Sequence, residues 1–364
     1  MTQTCPVILP FDTAFSQARE NNDSRLCNKD IRVLLGNGFS QAYYGDFSYT
    51  TLFNAIKEEK DHAKVKQLFE HFGTSNFEAI LRFLQDLQFA SGVYEFDGTK
   101  IKVDYERLRD ALADAIVKVH PDKTNAIPEP NKTACHSFLN RFDDVFTVNY
   151  DLLLYWTILR DTKTIFGDYF NRDEDTPDEY CEYIEDGKGV DKHVFFLHGA
   201  LHLFLKDGRT IKKVWGQQAP LIAQIKAEMA KGYYPMVVAE GDSESKMRQI
   251  KSNPYLNHAL SKLQLCKGQL FTFGFSFSDQ DKHIRDAITK NAGIKFVWIG
   301  IRDDFSKENN QRLLTVRDEM IAKRLQIVGQ TDKQGHGPLQ VHFYDTDAMD
   351  IWALKKETTT TGSD

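Results

Sequence analysis

Four short polar segments each follow an apolar run: Gly36-Asn37-Gly38-Phe39-Ser40, Asn149-Tyr150-Asp151, His198-Gly199 and Gly274-Phe275-Ser276. In the first, Gly36 permits a tight turn and Gly38 lets backbone amides approach a pyrophosphate. Where a dinucleotide-binding loop carries its third glycine, this chain has Gln41. No second strand with an acidic ribose ligand follows within a ~30-residue βαβ unit, which disfavours a hydride-transfer site. A glycine pair after a strand is also an ordinary turn.

Asn149 and Asp151 stand between the run DVFTVN and the run LLLYW. Either side chain could cap the following helix, but one cap suffices, so the pair asks for more than capping. His198 closes HVFFLHG, and histidine is the side chain most readily poised as a base near neutral pH. A lone histidine at a strand end also has a purely structural reading. His193 and His202 lie close in sequence, but no cysteine or acidic ligand cluster accompanies them, so no metal is expected. In FTFGFSFSDQDKHI, Gly274 allows close backbone approach, and Ser276 and Ser278 can donate to phosphate or ribose hydroxyls. Ser278 occupies the last glycine position of a G-x-S-x-G elbow, and the chain has no P-loop and no H-E-x-x-H motif. Serine hydrolysis, P-loop NTP hydrolysis and zincin chemistry are therefore poor fits.

Short apolar runs must position these segments. IRVLL (31–35), DVFTVN (144–149), TKTIFG (162–167), HVFFLHG (193–199), GQLFTFGF (268–275), IKFVWIGI (294–301) and LQVHFYD (339–345) read as strands. Helical patterns at about 217–231, 253–266, 279–291 and 304–324 alternate with them. The expected fold is α/β: a Rossmann-like, mostly parallel sheet with helices on both faces. Between the first two strands, four stretches space apolar residues by three and four, from FSYTTLFNAIKEE to VDYERLRDALADAIVKVH, with Asn76 as a plausible N-cap. They form an inserted helical subdomain over about 47–132, closed by HPDKTNAIPEPNK. The organisation is thus an N-terminal segment over 1–30, one domain over 31–350 and a polar tail over 351–364. The acidic segment 171–189 reads as a solvated loop or hairpin.

The chain of 364 residues is 41% hydrophobic and 27% charged, in the range of a soluble globular protein. A net charge of −6 argues against a general nucleic-acid binder. The five scattered cysteines form no C-x-x-C pair, as expected of reduced thiols in the cytoplasm. No secretory signal and no apolar run of membrane-spanning length is seen.

In this order the four segments resemble the sirtuin-like superfamily, in its compact bacterial branch tied to NAD consumption and anti-phage defence. Sirtuins carry a Gly-Ala-Gly-x-Ser loop, a Gln-Asn-Ile-Asp segment, a His-Gly pair and a Gly-Thr-Ser loop. GNGFS at 36–40, VNYD at 148–151, HG at 198–199 and GFS at 274–276 look like their counterparts. Residues 238–260 also look like a segment that one sirtuin-like family carries between the last two motifs. The four zinc cysteines are absent, and GDFSYTTLF (45–53) stands where Pro-Asp-Phe-Arg is expected, which counts against lysine deacylation.

The resemblance implies an NAD glycohydrolase that takes NAD as substrate, releases nicotinamide and ADP-ribose, and uses no metal. Asn149 would hold the nicotinamide ribose or the attacking water. His198 would contact a ribose hydroxyl and act as general base, and Asp151 would orient nearby groups or stabilise positive charge. The amides of residues 36–40 would hold the pyrophosphate, Gly274 would let the backbone come close to the dinucleotide, and Ser276 and the 300–302 region around Ile301 would hold the adenosine side. Activity would wait on an oligomer, a partner protein or an infection-linked nucleotide that rearranges the helical block. A non-catalytic sensor of NAD or ADP-ribose, and a deacylase or ADP-ribosyltransferase, are the alternatives.

Overall fold

Runs of β-branched and aromatic residues without polar alternation can be buried on both faces inside a parallel sheet. The computed structural model describes residues 6–21, 31–44, 63–73, 77–120, 126–158, 166–172, 180–186, 190–214, 219–238, 243–331 and 338–354. Its strands in chain order begin with β1 (Ile8–Pro10), β2 (Ile31–Leu35), β3 (Asp144–Thr147) and β4 (Phe166–Gly167). Next come β5 (Phe170–Asn171), β6 (Tyr180–Tyr183), β7 (Lys192–Phe196), β8 (Gly199–Lys206) and β9 (Arg209–Lys213). The last are β10 (Pro235–Val237), β11 (Gly268–Phe273), β12 (Ile294–Ile301) and β13 (Gln340–Asp345).

Eight strands form the central sheet in the order β1-β13-β12-β11-β2-β3-β7-β4, every pair parallel. From β2 the chain builds outward through β3 and β7, then returns to the other side of β2 with β11, β12 and β13. The strand order therefore reverses between β2 and β11, and in open α/β sheets ligands bind in the crevice at such a point. Phe273, Leu35, Thr147 and Phe196 stand in register across four neighbouring strands. The residues that follow each of them consequently emerge along one edge.

Helices cover this sheet, and aromatic residues fill the layer beneath them. Phe11 and Phe15, on the helix Phe11–Glu20, pack on Phe138, Phe142 and Phe271, and Phe271 stacks on Trp298 at 5.5 Å. The N-terminal segment, set apart from the domain in the sequence reading, contributes β1 to the sheet edge beside β13, so part of it belongs to the domain. The buried Arg324 donates to the carbonyls of Ile288, Thr289, Asn291 and Ile294, which satisfies the end of the helix Lys282–Lys290.

A second sheet, not expected from the sequence, is antiparallel with the order β10-β8-β9-β6-β5. Its β8–β9 hairpin turns at Asp207 and Gly208, which take φ of 50° and 77°. Asp-Gly between two strands is the usual two-residue hairpin signature. The segment at 171–189 contributes Asn171 and Tyr180–Tyr183 to the β5–β6 pairing, the hairpin form of its expectation. Within TKTIFG only Phe166–Gly167 is strand, and 162–165 lie outside the described residues.

Between β2 and β3 the helices Ala63–Phe72, Phe77–Val93 and Thr99–Val119 form the inserted block. The helix expected over FSYTTLFNAIKEE, the Asn76 cap and segment 45–53 lie outside the described residues. The linker gives way to a helix at Glu129, earlier than residue 132, with Pro130 in its first turn where no N–H is needed. The helix Ser243–Ser252 was likewise not expected. Among the described residues, no helix is long and apolar enough to cross a membrane.

Candidate active site

A cleft of about 1070 Å³ opens at the edge where β2, β3, β7, β11 and β12 end. Its volume is at the upper end of the roughly 300–1,000 Å³ that hold drug-sized ligands. At its floor two loops interlock. The Gly36 amide donates to Phe273 O at 2.9 Å and the Gly38 amide to Gly274 O at 3.0 Å. A Cβ on Gly38 would lie 2.6 Å from Gly274 Cα, and Gly274 itself has φ of 63°. Glycine is needed here because two backbones touch. The Phe39 amide donates to Gly36 O. Three amides expected to cradle a pyrophosphate are therefore spent inside the protein.

Phe39 is fully buried, and the ring of Trp352 lies 5.1 Å from it and 4.9 Å from Tyr43. Trp352 Nε1 also donates to Phe39 O at 3.1 Å. Asn37 and Gly38 line the cleft, whereas Gly36, Phe39 and Ser40 stand behind it.

Ser40 connects the first loop to the second. Its hydroxyl donates to Asp151 Oδ2 and accepts from Asn149 Nδ2 at 2.9 Å, while Nδ2 also donates to Gly36 O at 2.9 Å. Only an amide N–H can donate to a carbonyl, so these bonds fix the orientation of the Asn149 amide. Both Nδ2 hydrogens are used, and the group left for a ligand is Oδ1. Asp151 Oδ1 accepts from Leu153 N at 2.9 Å and so caps the helix Leu153–Ile158. Burial pushes the Asp151 carboxyl up, against the bonds from Ser40 and Leu153. Capping thus accounts for Asp151, and loop fastening for the amide N–H groups of Asn149.

His198 lies two residues beyond β7, in a turn held by Val238 N donating to His198 O at 2.8 Å. A Cβ on Gly199, at φ of 75°, would lie 2.8 Å from the Met236 carbonyl carbon, so the chain passes close under β10. Leu201 N donates to Tyr150 O at 2.8 Å, tying this turn to the Asn149 loop. The four sequence segments therefore meet, with Asn149, Asp151, His198, Gly274 and Ser276 all on the cleft wall.

Three partners of His198 were missed. Its Nε2 lies 2.9 Å from His283 Nε2, and beside them Lys246 Nζ is 3.0 Å from Asp281 Oδ1. Burial pulls His198 down to about 3 and His283 down to about 4, with Asp281 opposing both shifts. Both rings are neutral at neutral pH. Burial acts upward on Asp281, but His198 and Lys246 outweigh it and hold the carboxyl below its ordinary value. Ligand atoms of His198, Asp281 and His283 lie within 4.8 Å of one another, a spacing a transition-metal ion could use. Lys246 already supplies positive charge to that carboxylate.

Beyond Ser276 the cleft runs past Ile301, Arg302, Arg312 and Asp347. Arg312 donates to the carbonyls of Ser276 and Phe277, which steadies that loop with Phe277 at φ of 52°. Arg302 Nε meets Asp347 Oδ1 at 3.1 Å. The inserted block reaches the cleft through His120, one residue past the helix Thr99–Val119.

Residues 33–352 match the family described as a domain of unknown function, DUF4917. The chain belongs to this family. The match begins inside β2 and ends at Trp352, so the DUF4917 unit contains all four loops and the tryptophan behind the first. No curated protein matches the sequence.

The missed residues had a faint sign. Asp281 and His283 follow the Gly274–Ser276 loop within ten positions, and Lys246 lies in the 238–260 segment singled out for its resemblance. Nothing in the spacing links residue 246 to residue 283. Only the packing of the helices Ser243–Ser252 and Lys282–Lys290 does so.

Proposed function

We propose that this protein is an NAD glycohydrolase of sirtuin-like type, cleaving the nicotinamide–ribose bond with water. The observation that carries the reading is the meeting of the Asn149 Oδ1 acceptor and a neutral, buried His198 in one cleft at the strand-order reversal. In the reaction, the C1′–N bond breaks with both electrons passing to the pyridinium nitrogen, so nicotinamide leaves uncharged. An oxocarbenium-like ribose remains, and water adds to C1′. Asn149 Oδ1 accepts a hydrogen bond from that water or from a ribose hydroxyl. His198 takes up the released proton and passes it to solvent. Asp151 acts at one remove, by holding Ser40 and hence the amide of Asn149.

With the Gly36, Gly38 and Phe39 amides engaged, Arg312 and Arg302 are the cations suited to the pyrophosphate and adenosine half. The inserted block is the candidate for control, because it touches the cleft at His120 and leaves Phe89, Val93 and Tyr94 exposed. On the resemblance, a partner, an oligomer or a nucleotide signal would act there during phage infection.

Incubation with NAD, alone and with candidate partners, tests the reading by chromatography and mass spectrometry of the products. Nicotinamide and ADP-ribose in equal amounts are expected. Thermal stabilisation by NAD without nicotinamide release under every condition would instead favour the sensor. Neither stabilisation nor release would remove NAD altogether.

A further inference from the structure

A second buried amide is pinned in the cleft in the way Asn149 is, toward the other end of the strand row. Asn310 lies in the first turn of the helix Glu308–Thr331 and is only 7% exposed. Its Nδ2 donates to Arg302 O at 2.7 Å and to Asp304 O at 2.8 Å. A carbonyl can only accept, so these bonds fix which end of the amide carries the nitrogen, and they use both of its hydrogens. Oδ1 is the group left over. It accepts from no described residue, yet it is not sealed from solvent, and Asn310 lines the cleft. Elsewhere the buried Asn253 and Asn291 spend Oδ1 on Leu256 N at 3.0 Å and on Gly293 N at 2.9 Å.

The loop that pins Asn310 is itself held. Asp347 accepts from Asp303 N at 2.7 Å and from Arg302 Nε at 3.1 Å, which ties the loop to the segment after β13. Ser306 N donates to Asp304 Oδ1 at 2.8 Å. Oδ1 of Asn310 is thus a fixed acceptor. The lining at this end is otherwise apolar in large part: Leu313, three residues on along the same helix face, with Ile301, Met349 and Ile351. A flat ring that carries an N–H suits such a wall better than a polyhydroxylated sugar. The loop springs from β12, three strand spacings or roughly 14 Å from β3. Asn149 and Asn310 therefore meet different parts of one ligand.

We propose that Asn310 reads the base of an adenine nucleotide, its Oδ1 accepting a hydrogen bond from the 6-amino group. The dinucleotide itself rests on the glycohydrolase reading; the choice of base rests on the pinned amide. Of the polar groups on the far half of NAD, the 6-amino group is the one that only donates. A ribose hydroxyl can donate or accept, and so gives a fixed acceptor nothing to select.

The test is calorimetric binding of ADP-ribose and of inosine diphosphate ribose to the full chain, since neither has a nicotinamide bond to cleave. The second ligand carries a carbonyl in place of the 6-amino group, so two acceptors would face each other. It is expected to bind at least about tenfold more weakly. In Asn310→Leu this preference is expected to vanish, chiefly through weaker binding of ADP-ribose. Damage to the 302–304 loop would weaken both ligands alike, so the ratio of the two affinities is the readout. Equal binding of both ligands by the wild type would overturn the proposal, and would follow if Oδ1 met a ribose hydroxyl, which both carry. So would an unchanged ratio in folded Asn310→Leu. If neither ligand binds and NAD does not either, the inference falls together with the NAD reading. If the preference is present but NAD releases no nicotinamide, adenine recognition stands and the glycohydrolase reading alone fails.

Discussion

Lys246 pairs with Asp281 at 3.0 Å beside His198 and His283, and Lys212 pairs with Asp168 at 2.5 Å beside His202. Both lysines and all three histidines are buried. The first group borders the cleft through Lys246, Asp281 and His198. The second is sealed against the antiparallel sheet, with the Lys212 ammonium over the rings of Tyr155 and Phe170. His202 stacks on Tyr155 at 4.2 Å, and neither of its ring nitrogens has a hydrogen-bond partner among the described residues. It serves there as a flat apolar ring. A buried ion pair with a depressed histidine is thus no sufficient mark of a site. Access to the cleft and a hydrogen-bonded imidazole separate the candidate catalytic group from the other.

The sharpest way to break this contrast is to remove one histidine from the cleft. His198→Ala is expected to cut nicotinamide release by a factor of about a thousand while leaving the melting temperature nearly unchanged. Comparable turnover would make the two groups equivalent. Asp168→Asn is expected to do the opposite, costing about 3–5 kcal/mol in a denaturant titration because Lys212 is left buried and uncompensated. Turnover per folded molecule should be preserved.

Gly274→Ala tests the floor of the cleft. It forces a side chain into left-handed backbone against Gly38 and is expected to cost at least about 2 kcal/mol and to weaken NAD binding. Wild-type binding by calorimetry would show that the interlock is dispensable.

Acid should weaken the fold through both groups. The folded-state pKa values of His198, His283 and His202 are all depressed, so below about pH 6.5 the unfolded chain takes up protons that the folded chain refuses. Stability is then lost as pH falls from 6.5 toward 4, by up to about 1.4 kcal/mol per histidine for each pH unit. Melting temperatures at pH 7.5 and 5.0 should differ less in His202→Phe than in the wild type. The smallest effect is expected for Lys246→Met. Losing a nearby positive charge eases protonation of His198 and His283, so the acid limb of the rate profile should move upward by less than about one pH unit.

Apolar runs such as IRVLL and GQLFTF could be read directly, because a strand buried on both faces leaves nothing ambiguous in its pattern. Their loops were likewise found from position alone, since whatever follows such a strand lies at the ligand edge. The division of labour within the loops could not be read. Gly38 and Phe39 spend their amides on neighbours that are distant in sequence or hidden by the turn, and Ser40 is explained only by Asn149 and Asp151, 109 and 111 positions away. The antiparallel sheet was missed for a different reason. GALHLFLK on β8 is apolar almost throughout, so it shows no alternation, and only Asp207-Gly208 marks the hairpin. His283 was passed over because an amphipathic helix start explains a polar residue there without further appeal.

Trp352 gives the site an order in time. The first loop is among the earliest parts of the domain to be synthesised, yet the indole that backs Phe39 and holds its carbonyl comes more than three hundred residues later. Asn131 in turn donates to the Trp352 carbonyl from the helix Glu129–Leu139. A growing chain can carry all four strand-end loops and still have an unbacked floor. Completion of the site therefore waits for the last turn of the domain, and a chain that stops short of Trp352 lacks the indole that backs its first loop.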